Sequence, residues 1–160
     1  MTEPPPDLVA AEARRWLGEA GEELRIARYL SNDDTLPARA ACFHAHLAAE
    51  KALTAALIQR GVPLPRLHDL IALQRMLPSA EQQRFSNSDL DELNPWTIEG
   101  RYPADLGDVA TARIARLLDA ADRVLNSAQT AIENTGSRSR EPQQHPTSGQ
   151  TGLPEPNQQE

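Results

Sequence analysis

Apolar residues recur at helical spacing in three long stretches of this chain, and no stretch alternates as a strand requires. The most continuous runs from Pro37 to Arg60, PARAACFHAHLAAEKALTAALIQR. It has no internal glycine. Pro37 suits a first helical turn, where its missing N–H costs nothing, and Gly61 suits a helix C-terminus. At about 100° per residue, Phe43, Leu47, Thr54 and Leu57 fall on one stripe. Alanines fill much of the remaining surface. A long helix that is apolar on several sides reads as the central helix of a bundle.

The flanking patterns complete that bundle. Asp7 can cap a first helix to about Leu30, with Ala10, Ala13, Leu17, Ala20, Leu24 and Ala27 on one face. Gly18 and Gly21 weaken it modestly or permit close helix contact. SNDDT is the loop before the central helix. After Gly61 the prolines of VPLPRLHDL force an extended connection. Leu67, Leu70, Ile71, Leu73, Met76 and Leu77 then predict a short third helix, ended by Pro78 and Ser79. Ser79 to Phe85 fits one more turn. Asp89 to Arg101 reads as a short amphipathic segment, made irregular by Pro95 and Gly100. After RYPADLGD the last long helix keeps Ile114, Leu117, Leu118, Ala121, Leu125, Ala128 and Ile132 on one face. The pattern predicts an all-α fold: an antiparallel up-and-down bundle of four to five helices over residues 1–133. From residue 134 to 160 Gly, Ser, Pro, Gln and Thr dominate, and Leu153 is the only large apolar residue. That composition predicts a disordered C-terminal tail that adds nothing to stability.

Charge and composition narrow the chemistry. Arg and Lys total 16 against 23 acids, a net charge of −7. This argues against nucleic-acid or membrane binding driven by bulk charge. Cys42 is the single cysteine and has no disulfide partner within the chain, which fits a reducing, cytoplasmic compartment. No apolar run approaches the roughly 20 residues of a membrane span, and MTEPPPDL has no signal-peptide pattern. No Cys/His cluster has metal spacing and no Gly-rich phosphate loop is present, so neither metal nor cofactor is expected.

Three groups of residues carry candidate chemistry. Arg39, His46 and Glu50 follow one another at spacings of seven and four on the central helix. A buried carboxylate needs a partner, so they form either an internal ion pair or a polar, candidate catalytic pocket. Arg66 and His68 in PRLHDL are a candidate ligand-binding pair; otherwise His68 or Asp69 caps the third helix and Arg66 is solvated. Arg101 and Tyr102 precede the last helix and suit an anion or nucleotide corner; otherwise Tyr102 packs on the bundle and Arg101 pairs with an acid such as Glu99 or Glu50. Arg113, Arg116 and Arg123 share one side of the last helix, as a solvated face or a surface for an acidic partner or RNA.

Four stretches together resemble the HEPN domain (higher eukaryotes and prokaryotes nucleotide-binding): ARAACFHAHLAAEKALTAALIQRG, PRLHDL, LDELNPW and IEGRYP, spread over roughly residues 8–130. The resemblance implies a bundle of four or five helices, often dimeric. It also implies a common pairing with a minimal nucleotidyltransferase in toxin–antitoxin-like arrangements. Some members are metal-independent ribonucleases that carry Arg, four to six residues, then His near the start of a late helix. There Arg steadies phosphate charge while His moves a proton at the ribose 2′-OH. Here RYPADLGDVATAR, from Arg101 onward, contains no His. The only Arg followed after four residues by His in the bundle is Arg39 to His44, whose side chains diverge by roughly 140° on a helix. The expectation is a non-catalytic HEPN protein that binds a nucleotide or a nucleotidyltransferase partner, as a homodimer or heterodimer. The alternatives are a ribonuclease toxin that cleaves RNA without metal, and a helical adaptor with no ligand.

Overall fold

The computed structural model describes residues 4–64, 66–99 and 109–138, the side chains of 98–99 and 135–138 excepted. Among these residues every regular element is helical. The order is α1 (Pro6–Ser31), α2 (Ala38–Gln59), α3 (Leu70–Arg75), α4 (Ser79–Gln82), α5 (Asn87–Leu93), α6 (Trp96–Glu99) and α7 (Thr111–Arg138). Helix α2 packs against α1, α7, α3, α5 and α6. It is the central helix of an all-α bundle, with the short helices filling the connection to α7. No described helix is long and apolar enough to cross a membrane.

The central helix buries its small residues. Ala41, Cys42, Ala45, Ala48, Ala49, Ala52, Leu53, Ala55, Ala56 and Leu57 are all essentially inaccessible. Phe43 and Leu47, expected on the core stripe, are only half-buried. A helix enclosed by several neighbours at native packing density has room for methyl groups and little else. The bulkier side chains fall on its partly open side.

The ends of the helices follow local chemistry. Gly61 adopts φ 64°. Its N–H donates to the Ile58 carbonyl at 2.9 Å, and the Val62 N–H donates to the Leu57 carbonyl at 3.1 Å. This pair of bonds satisfies the last carbonyls of α2 and needs a left-handed residue between them. Pro37 lies just outside α2, at the N-cap, not inside its first turn. Helix α1 starts at Pro6, two residues earlier than a cap at Asp7 would set, so Asp7 sits in the first turn and not at the cap; there its charge still favours the helix N-terminus. Asp69 caps α3 by accepting the Ala72 N–H at 3.0 Å, and Asn94 Oδ1 accepts the Leu70 N–H at 2.9 Å. Helix α7 continues through Arg138, past the boundary expected at residue 133. No proline interrupts the sequence there before Pro142.

The arginines of α7 lie on an exposed face, as expected, and each also has a partner there. Arg123 grips the buried Asp89 carboxylate with two bonds, Nε at 2.8 Å and Nη2 at 2.7 Å. Arg116 Nε reaches Glu92 at 3.3 Å. The Arg113 guanidinium lies over the Trp96 ring, 5.1 Å from its centroid. All three hold α5 and α6 against α7.

Replacing Gly61 by Ala should cost about 1 kcal/mol, because a side chain at positive φ is strained even with open space around it. For a domain of this size the melting temperature should fall by roughly 3–5 °C. Gly61→Asn should fall less. An unchanged melting temperature for Gly61→Ala would contradict the assigned helix end.

Candidate functional site

The site begins with a polar residue in an apolar helix. His46 is 0% exposed, in the middle of α2. Its Nδ1 lies 3.1 Å from the carbonyl oxygen of Leu93, at the C-terminus of α5. A carbonyl only accepts, so Nδ1 carries the hydrogen. That carbonyl has no partner within its own helix, and His46 supplies one. The other ring nitrogen, Nε2, faces Glu50 Oε2 at 3.2 Å.

Glu50 sits one turn along α2, 17% exposed. Its far side meets His68, whose Nδ1 lies 3.0 Å from Oε1 and 3.1 Å from Oε2. His68 belongs to the extended connection before α3, and its side chain is 56% exposed. A chain of polar contacts therefore runs inward from solvent: His68, Glu50, His46, then the Leu93 carbonyl. It joins three separate elements. Burial pushes the Glu50 carboxyl up, but the hydrogen bonds and charge of His46 and His68 outweigh it and hold the group below the ordinary carboxyl range. With Nδ1 turned to Glu50, His68 keeps its Nε2 for solvent or a ligand.

Of the candidates read from the sequence, the structure gathers His46, Glu50 and His68. Arg39 is exposed, makes no ion pair among the described residues, and does not join them. It precedes His46 by seven residues, roughly 10 Å along the axis. Arg66 is exposed as well, and Asp69, not His68, is the cap of α3. Arg101 and Tyr102 lie outside the described residues.

The remaining reactive groups are committed elsewhere. His44 Nδ1 contacts Glu23 Oε2 at 2.6 Å, and Lys51 Nζ donates to Glu23 Oε1 at 2.7 Å and Glu19 at 3.3 Å. This cluster joins α2 to α1. Burial pushes the Glu23 carboxyl up, yet the bonds to Lys51 and His44 leave it below its ordinary value. Burial also pushes the Cys42 thiol up to about 11, against a small opposing pull from Arg113. Such a thiol is inert near neutral pH. Among the described residues no three His, Cys, Asp or Glu side chains are placed to hold a metal ion.

The HEPN domain family model matches residues 13–135. A crystal structure of an archaeal HEPN homologue is similar in fold, with a TM-score of 0.58 and 24% identity, covering 75% of this chain and 97% of that one. No curated protein matches the sequence.

The Glu50 geometry has a pH signature. A carboxyl held below its ordinary value of 4.5 contributes stability above that value, and loses it as pH falls through the lower, folded value. Glu50→Gln should therefore lower stability by about 1–3 kcal/mol at pH 7, with the gap to the parent protein closing as pH falls from about 5 to 3. Chemical denaturation at several pH values measures this. A gap that stays constant over that range would contradict the pairing.

Proposed function

This chain belongs to the HEPN family, and on that premise we propose that it is a non-catalytic member that binds a nucleotide or partners a minimal nucleotidyltransferase in a toxin–antitoxin-like system. The observation that carries this reading is that every described histidine has its Nδ1 committed. His44 is turned to Glu23, His46 is sealed between Leu93 and Glu50, and His68 is held by Glu50. Metal-free RNA cleavage needs a proton carrier and an arginine on the same phosphate. Arg39 has the family's spacing to both His44 and His46, but it is exposed on α2 while His44 is tied to α1 and His46 is enclosed between Leu93 and Glu50. The stretch from Arg101 to Arg113 has no histidine.

An acidic chain disfavours wrapping by a long polyanion, which supports a small nucleotide or a protein partner over RNA. Leu8, Ile26, Tyr29 and Leu36 are exposed apolar side chains; Ile26 and Tyr29 are one turn apart on α1. Leu8, Ile26 and Tyr29 lie on α1 and support association through that helix, as a homodimer or a heterodimer; the single Cys42, without a disulfide partner in the chain, fits the cytoplasm. One feature favours the ribonuclease toxin as the second reading: a carboxylate-oriented, exposed imidazole with an open Nε2, at His68.

Incubating the pure protein with total RNA and a chelator tests the choice, beside His68→Ala and Arg39→Ala. The expected result is no cleavage above background in any sample. Cleavage by the parent protein that disappears in His68→Ala would replace this proposal with the toxin.

A further inference from the structure

Outside the His68–Glu50–His46 chain, one cleft stands apart in its lining. It has a volume of about 440 Å³, between α3 and the turn joining α4 to α5, lined by Gln74, Arg75, Gln82, Gln83, Phe85 and Asn87. In a chain of net charge −7, this cleft has no carboxylate in its wall. Four of its six residues are amides. The volume lies within the roughly 300–1,000 Å³ of small-molecule sites.

The amides are oriented by the backbone. Gln74 is buried, and its Nε2 lies 3.0 Å from the Gln82 carbonyl and 3.1 Å from the Phe85 carbonyl. Only a donor can face two carbonyls, so the nitrogen position is fixed. Asn87 Oδ1 also lies 2.9 Å from that Nε2, so its two hydrogens are shared among three acceptors; the Asn87 oxygen faces this donor and its Nδ2 is the free end. Gln82 Nε2 likewise faces the carbonyls of Arg75 and Leu77, at 3.1 and 2.8 Å. That leaves Gln82 Oε1 as an acceptor. Arg75 is exposed and makes no ion pair among the described residues; its charge is felt only weakly at Asp69.

The cleft thus offers an oriented donor, an oriented acceptor and a guanidinium. A donor beside an acceptor matches the hydrogen-bonding edge of an unpaired nucleobase. A guanidinium matches phosphate. We propose that this cleft is a nucleotide subsite, in which Asn87 and Gln82 read the base edge and Arg75 holds the phosphate. The contacts of Gln74 Nε2 close the turn between α4 and α5, but closing that turn needs neither Arg75 nor the free nitrogen of Asn87. The inference rests on the reading that a nucleotide is a ligand, and assigns that ligand a location.

The test is calorimetric titration of the full chain with the four ribonucleoside 5′-monophosphates and with inorganic phosphate. The variants are Arg75→Ala and Asn87→Asp. The second keeps the oxygen that accepts from Gln74 and replaces only the free donor, at the first position of α5, where an acid is favourable. At least one monophosphate should bind more tightly than phosphate alone, and each variant should weaken it about tenfold at unchanged melting temperature. Undiminished binding in both variants would overturn the cleft and leave the nucleotide-binding reading standing. Absence of any monophosphate binding at millimolar concentration would overturn that reading and the cleft together. Phosphate binding as tightly as every monophosphate would overturn the base-reading role.

Discussion

A carboxylate set into the wall of the central helix has to be paired, and much of the structure around it follows from how Glu50 is paired. Helix α2 turns alanines and two leucines to the helices around it, an environment that penalises any unpartnered polar group. His46 and His68 reach Glu50 from opposite sides, one from the same helix and one from the connection before α3. His46 then extends the contact to the end of α5. A single acid thus ties the extended 62–69 connection and the short helices to the long one.

The short helices need such tethers. Elements of four to seven residues do not hold helical structure on their own. Leu90, Leu93 and Trp96 bury completely, but their apolar contacts alone do not fix orientation. On one side the Leu93 carbonyl is held by His46; on the other, Arg123, Arg116 and Arg113 of α7 hold Asp89, Glu92 and Trp96. Two long helices therefore position the short ones by polar contacts. The same segment carries the amide-lined cleft, so the orientation of that cleft depends on those contacts.

The bundle was legible in the sequence because helix periodicity and its punctuation are local. Gly61, Asp69 and the apolar spacing of α1 and α7 each state their role within a few residues. The site was only half legible. His46 and Glu50, four apart on one helix, announce a pair. His68 lies eighteen residues from Glu50 across two prolines, and nothing in the spacing says that the connection folds back. Arg39 shares their helical phase, but an exposed position near the start of α2 leaves it nothing to pair with there. The arginines of α7 read as a polar face, and they are exposed; their partners were not legible because those lie on elements too short to place by pattern. Phe43 and Leu47 fall on the stripe that helix periodicity marks as apolar; close packing around α2 favours alanine there instead.

The central claim is that His46 is a fixed link between α2 and α5, donating from Nδ1 to Leu93 and facing Glu50 with Nε2. Nitrogen-15 NMR of the histidine rings tests it most directly. The structure predicts an Nδ1–H resonance for His46 that exchanges slowly with solvent and couples across the hydrogen bond to the Leu93 carbonyl carbon. A His46 ring whose Nδ1 is unprotonated, or whose N–H exchanges as fast as that of an exposed histidine, would contradict the account.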